Sequence, residues 1–320
     1  MNNVSLHDLA PAGSASLQEV LRGLLSPQKE LPCKLLYDTI GSQLFEQICA
    51  LDEYYPTRAE LRIMRAAAAQ MAERIGPECL LIEYGSGSST KTPLLLDQLE
   101  RPVAYMPIDI SREVLQDSAA AIASRYPGLE VLPICADYTR SVQLPTTRAA
   151  AARRVAYYPG STLGNFVPEA ARRFLKTIGE VCGPGGGLLI GTDQKKDPLM
   201  LHRAYNDALG ITADFNLNIL RRLNRELGAN FNLDRFRHYA FYNPVFARVE
   251  MHLVSLIAQV VRVADVEIPF ARGESIWTEA SYKYNQDEFA ELVAGAGWRV
   301  EQMWTDDRSL FSVEYLVRDK

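Results

Sequence analysis

Three places along the sequence put a flexible turn or an acid where a polar ligand would need one. The segment EYGSGSSTKT (83–92) follows the apolar run CLLIEYG (79–85). Glycines at such a turn let the backbone approach a bound molecule closely. The third glycine of a G-x-G-x-x-G pattern is missing, because Thr90 stands there. A pyrophosphate seated on the next helix is therefore not expected. Asp109 lies at the end of VAYMPIDI (103–110), 24 residues after Gly85. A carboxylate there can accept hydrogen bonds from both hydroxyls of a ribose. Asp137 ends LEVLPICAD (129–137), and Tyr138 follows it; an acid at that point can accept from an adenine amino group. Lys91 can neutralise a carboxylate. Each feature also has an ordinary reading: a tight turn, a helix cap, an Asx turn, an exposed lysine.

The elements that must position these residues alternate. A helix is expected over 57–75, with Thr57 as its cap and Glu60 closing a capping box. Strands are expected at 79–85, 103–110, 129–137, 153–162 and 186–193, with helices at 91–100, 111–126 and 168–182. Such alternation predicts a parallel sheet with right-handed crossovers, and ligands bind beyond the carboxyl ends of its strands. The glycine turn, Asp109 and Asp137 then fall at three successive strand ends. Together they fit S-adenosylmethionine, which has a ribose and an adenine but no phosphate, and so a class I methyltransferase core.

The alternation breaks after residue 195. Residues 197–240 read as helical and 248–268 as strands. A helix (287–297) and a closing pair of strands (WRVEQMW and LFSVEYLV) then follow. This pattern predicts an α/β chain with a Rossmann-like core over 60–195 plus 284–320. A discontinuous α+β domain over 1–59 plus 196–283 completes it, and is expected to bind the substrate.

Composition narrows the classes. The 320 residues are 48% hydrophobic and 23% charged, with net charge −5, ordinary globular values that exclude a disordered or disulfide-scaffold chain. No basic stripe suggests nucleic acid. Five scattered cysteines form no CxxC and four histidines no HExxH, so no metal site is expected. The odd cysteine count suits reduced thiols and the cytoplasm. The start MNNVSLHDLAPAG lacks the charged and apolar regions of a signal peptide, and no apolar run is long enough to span a membrane. A monomer acting on a small molecule is the default expectation.

Further motifs are more specific. LLYDTIGSQLFEQI (35–48), LDEYYPTRAE (51–60), EYGSGSSTKT (83–92), PGSTLGNF (159–166), GTDQKKD (191–197), RAYNDALGITADFN (203–216) and TEASYKY (278–284) occur in one order across nearly the whole chain. The chain resembles the S-adenosylmethionine-dependent histidine Nα-methyltransferases of ergothioneine biosynthesis. The resemblance implies a cofactor site of Tyr37, Gly85, Lys91, Asp109, Asp137 and Tyr138. It implies that Tyr54, Asn165 and Tyr205 hold the amino-acid backbone. Glu279 and Ser281 would read the imidazole, with Met251 packed against the ring. Tyr37 and Asn165 would be the groups nearest the chemistry. The sequence departs from the family pattern at Tyr84, Phe166, Ala280 and Tyr282.

These residue types suit the reaction. Methyl transfer is a direct displacement and needs no nucleophilic serine or cysteine. Tyrosine and asparagine donate to a carboxylate without a fixed charge. Residues two apart on a strand face one side, so an extended 278–284 aims Glu279 and Ser281 at one ligand. The implied activity is trimethylation of L-histidine to hercynine, a step toward ergothioneine. Two alternatives are a methyltransferase for tryptophan or arginine and a non-catalytic sensor using the same pocket. An indole has one N–H and needs more room, so Glu279 and Met251 favour histidine.

Overall fold

The computed structural model describes residues 6–9, 16–140 and 142–318. The chain divides into two compact units, residues 1–10, 56–195 and 282–320, and residues 11–55 and 196–281.

The first unit is built on a nine-stranded sheet. Its main path runs His7–Asp8, Ile134–Cys135, Ala104–Asp109, Cys79–Tyr84, Arg153–Tyr158, Gly187–Asp193, Phe311–Arg318 and Trp298–Thr305. Strand 79–84 sits between 104–109 and 153–158 and is parallel to both. Strand 311–318 runs antiparallel between 187–193 and 298–305. All six residues of 79–84 and all seven of 187–193 are buried, as parallel strands covered on both faces require. The expected third strand is two short pieces, Glu130–Val131 and Ile134–Cys135. Pro133 lies between them, and a proline cannot donate to the ladder. The pair His7–Asp8, assigned to the other unit by sequence, instead lies parallel to Ile134–Cys135 in this sheet. Cys79 and Cys135 behave as small hydrophobes, at 0% and 1% exposure.

The first long helix begins at Tyr55, two residues before the expected cap, and runs to Ile75. Pro56 sits in its first turn, where no backbone donor is needed. Thr57 is therefore inside the helix, and Glu60 forms no capping box but is buried at 1% exposure. A capping box does form at Asn285 and Glu288, opening helix Gln286–Ala294.

The second unit has a four-stranded sheet in the order Lys29–Glu30, Ser275–Tyr282, Arg248–Ser255, Phe236–Asn243, and a separate hairpin, Gln259–Val263 with Val266–Phe270. The helical expectation for 197–240 overran. Helix Pro198–Tyr205 is followed by helix Ile211–Leu227, which stops at Gly228 in a left-handed conformation (φ 61°). From Phe236 the chain is a strand paired with 248–255. Asp38 opens helix Thr39–Ala50 by accepting from the Gly41 N–H at 2.8 Å, and also takes Asn218 Nδ2 at 2.7 Å and Arg225 at 2.6 Å. A Cβ at Gly41 would meet the Leu36 carbonyl at 1.7 Å, so the YDTIG segment admits only glycine there. This clasp fixes the backbone that carries Tyr37.

Two buried sites with ionisable groups in the first unit set its tolerance to change. Lys283 Nζ lies 2.7 Å from Asp193, both wholly buried. Breaking such a pair by removing one partner leaves an uncompensated buried charge. Lys283→Met should destabilise the protein by about 3–5 kcal/mol, and adding Asp193→Asn should recover much of the loss; chemical denaturation of both variants checks this. Glu83 accepts from Thr92 Oγ1 at 2.7 Å and from the Tyr105 hydroxyl. Burial pushes its carboxyl up to about 7, although both hydroxyls and the Lys91 charge pull the other way. The folded state thus keeps a proton that the unfolded chain releases near its ordinary value of 4.5. Its contribution to stability is full below that pH and is lost as pH rises to about 7. Glu83→Gln should remove this component of the fall in Tm between pH 4.5 and 7, and an unchanged slope would contradict it.

Candidate active site

In the first unit Gly85, Asp109, Asp137 and Tyr138 gather at the ends of neighbouring parallel strands, whereas Tyr37, also expected at the cofactor, lies in the second unit. Gly85 and Gly87 both have positive φ, 70° and 49°, which a side chain disfavours. A Cβ on Gly85 would lie 3.4 Å from the Tyr138 hydroxyl, so the first and third strand ends meet through Gly85 and Tyr138. Asp109 binds the same turn: Oδ2 accepts from the Gly87 N–H and Oδ1 from the Ser111 N–H, both at 2.9 Å. Burial raises its carboxyl above the usual range, against these backbone donors. Asp109 is thus both a candidate ribose acceptor and the clamp of the glycine turn. Asp137 Oδ1 accepts from Thr139 N at 3.1 Å and Oγ1 at 2.5 Å, so the Asx turn weighed from sequence is formed.

Lys91 carries a partner the sequence reading did not foresee. Its ammonium is ion-paired with Glu60, whose two oxygens each lie 3.0 Å from the Gly160 N–H. The glycine turn, the helix 55–75 and the loop after strand 153–158 are tied at this point. The only sequence signal was an acid within a helix face otherwise rich in apolar residues. Asn165 closes the turn Thr162–Asn165 in that same loop. Gly164 beside it is obligatory, because a Cβ there would stand 2.8 Å from the Tyr282 carbonyl.

Two of the departures from the family pattern explain one another. Tyr84 and Phe166 both pack on Phe174, at ring separations of 5.6 and 5.2 Å. Tyr138 joins the group at 6.0 Å from Tyr84 and 5.6 Å from Phe174.

S-adenosylmethionine can be tested against these residues. The Ser86 and Ser111 hydroxyls are buried and have no hydrogen-bond partner among the described residues. They flank the glycine turn and Asp109, where a ligand rich in donors and acceptors would satisfy them. The residues fit the group. Among the described residues no cluster of three His, Cys, Asp or Glu could hold a metal.

The second unit links Tyr37, Tyr54, Tyr205 and Ser281 along one contact path, while Asn165, also expected at the amino acid, lies in the first unit. Tyr37 packs edge-on to Phe45 at 5.6 Å, Phe45 to Tyr54 at 6.2 Å, and Tyr54 to Tyr205 at 6.2 Å. The Tyr205 hydroxyl then donates to Ser281 Oγ at 2.9 Å. Glu279 lies two residues earlier on the same buried strand. After burial itself, its carboxylate is the main influence pushing the Cys33 thiol up to about 12. Met251, 2% exposed, lies on the neighbouring strand, where its carbonyl accepts from Thr278 Oγ1 at 3.0 Å. Phe45 and Phe215 were not singled out from sequence. Phe215 lies 5.4 Å from Tyr37 and 6.0 Å from Phe45. Both stand inside the quoted motifs, which was the available signal. His238 was also missed: its Nε2 donates to the Tyr205 carbonyl at 2.8 Å while Asn216 Nδ2 donates to Nδ1 at 2.9 Å. Burial lowers the pKa of this imidazole, which favours the neutral form that this pattern needs.

Residues 16–318 match the model of a histidine-specific, S-adenosylmethionine-dependent methyltransferase family. The chain is 42% identical over 313 residues to histidine N-alpha-methyltransferase of Mycolicibacterium smegmatis, covering 96% of each protein. It is 40% identical over 322 residues to the Mycobacterium tuberculosis protein of the same name, covering 99% of each. Ergothioneine biosynthesis protein 1 of Neurospora crassa is 32% identical over 295 residues, which span 87% of this chain and 32% of that one. On this evidence the chain belongs to the family of histidine-specific, S-adenosylmethionine-dependent methyltransferases.

Proposed function

We propose that this protein methylates the α-amine of L-histidine three times, giving trimethylhistidine (hercynine), as a step toward ergothioneine. The observation that carries the amino-acid reading is the path from Tyr37 through Tyr54 and Tyr205 to Ser281. It joins the residues assigned to the amine, the carboxylate and the ring. The 42% relative named for histidine N-alpha-methylation and the Neurospora crassa protein named for ergothioneine biosynthesis support the substrate and the pathway.

In this reading Gly85, Lys91, Asp109, Asp137, Tyr138 and Tyr37 hold S-adenosylmethionine, which supplies an electrophilic methyl group when bound. Tyr54 and Asn165 donate to the substrate carboxylate, each such bond to a charged group contributing about 1.5–3 kcal/mol, while Tyr205 gives its one hydroxyl proton to Ser281 Oγ and packs beside Tyr54. Because Tyr205 donates to Ser281 Oγ, the Ser281 proton is directed onward, to an imidazole nitrogen that accepts. Glu279 accepts from the N–H on the other side of the ring. Analogues that leave these buried groups unpaired are rejected. Met251 supplies apolar contact to the ring. Tyr37 and Asn165 orient the amine, and holding it in line is worth on the order of 7–11 kcal/mol of barrier. A quaternary amine has no lone pair, so transfer stops after three rounds. The free thiols support action in the cytoplasm, and the net charge of −5 supports a free amino acid rather than nucleic acid as the substrate.

Mass spectrometry of the protein with S-adenosylmethionine and each amino acid separately tests this reading. Up to three methyl groups on histidine alone are expected. Exhaustive turnover that stops at monomethylhistidine, or methylation of another amino acid instead, would overturn it. Glu279→Ala should weaken histidine binding by about 10–100-fold while leaving the affinity for S-adenosylmethionine in place. Asp109→Asn, which retains one oxygen for the glycine turn, should do the reverse. Calorimetric titration with each ligand separates the two effects.

A further inference from the structure

We propose that Glu60 is a positioning residue for the methyl donor, fixing the Lys91 ammonium so that Lys91 can receive the carboxylate of the donor's methionine tail. This inference rests on the assignment of Lys91 given above.

Glu60 is 1% exposed, and the Lys91 side chain 15%. An acid so enclosed must be held at each oxygen, and Glu60 is held by Lys91 and by the Gly160 N–H. The fold reserves space for this arrangement. A Cβ on Gly191 would stand 2.3 Å from Glu60 Oε1. Gly160 has φ 80°, and a Cβ there would face Lys91 Nζ at 3.7 Å. Lys91 stands just before helix Thr92–Leu96, the end of a helix where a cation is unfavourable. The Glu60 carboxylate beside it offsets this.

An ammonium has three donors. Glu60 occupies one and fixes the direction of the side chain, leaving donors for a second carboxylate. The other buried acid beside Lys91, Glu83, is already engaged by Thr92 and Tyr105. Glu60 is therefore the acid left to meet the Lys91 ammonium.

The test uses two ligands that share the adenosine thioether and differ in the tail: S-adenosylhomocysteine, which has the amino-acid carboxylate, and 5′-methylthioadenosine, which lacks it. Their dissociation constants are measured by calorimetry for the wild type, Glu60→Gln, Lys91→Met and the double variant. Glu60→Gln should weaken S-adenosylhomocysteine about tenfold, the value of one hydrogen bond to a charged group. Binding of 5′-methylthioadenosine should be unchanged. The double variant should match Lys91→Met. Equal weakening of both ligands by Glu60→Gln would make Glu60 merely structural, and no weakening, or tighter binding, of S-adenosylhomocysteine would also overturn the proposal. If Lys91→Met leaves the preference for the tailed ligand intact, the assignment of Lys91 itself fails. Glu60→Asp keeps the charge but withdraws it by one methylene. It should show the same selective loss, and wild-type binding by this variant would refute the positioning role even if Glu60→Gln does not fold.

Discussion

Strands 79–84, 104–109, 134–135 and 153–158 run parallel, so the loops that follow them emerge along one edge of the sheet. The first-unit residues assigned to the methyl donor depend on that alignment. Gly85, Asp109 and Asp137 are far apart in sequence, and each stands at the end of a different strand. The sheet is fully buried in its centre and therefore rigid, and it fixes the spacing between loops that have little structure of their own. The local details then serve that edge. Asp109 clamps the glycine turn from the next strand, and Tyr138 reaches Gly85 from the strand beyond.

The second unit solves its positioning problem by different means. No single element carries its site residues. They stand on a short 3-10 turn, a loop, a helix end and two strands, and aromatic edges link many of them. Edge-to-face rings pack at a preferred distance and angle, so a run of them transmits position across elements that share no hydrogen-bond ladder. Where a polar tip is needed, Tyr205 supplies it, with its backbone held by His238 and its hydroxyl held by Ser281.

Most of the first unit was legible because strand and helix alternate with clear punctuation, and because the residues that matter follow strands. The class of cofactor followed from three strand ends taken together, and membership of the family from YDTIG and EYYPTRAE. The specificity of YDTIG has a physical origin in the Asp38 clasp and the closed space at Gly41. Other features were hidden. Glu60 looks locally like a capping-box acid, and only the fold brings Lys91 and Gly160 to it. Lys283 and Asp193 lie 90 residues apart, and no local pattern marks them as a buried pair. Residues 236–240 were read as helix because FRHYAFYN has no clean alternation of residue types, although in the strand Phe236 and Ala240 are buried while Arg237 and Tyr239 are exposed. Pro133 was visible, but not that it would split a strand in two.

The chain leaves the first unit after Lys195 and returns at Tyr282, and these two points are fastened to one another. Gln194 and Tyr284 form a β-bridge, the Lys195 N–H donates to the Tyr284 carbonyl at 3.1 Å, and Lys283 meets Asp193. For the core, the long excursion between them is a closed loop whose ends already coincide. The entropic cost of such a loop grows only with the logarithm of its length. A fold of this kind can lengthen, shorten or exchange the excursion while the edge formed by the ends of its parallel strands stays where it is.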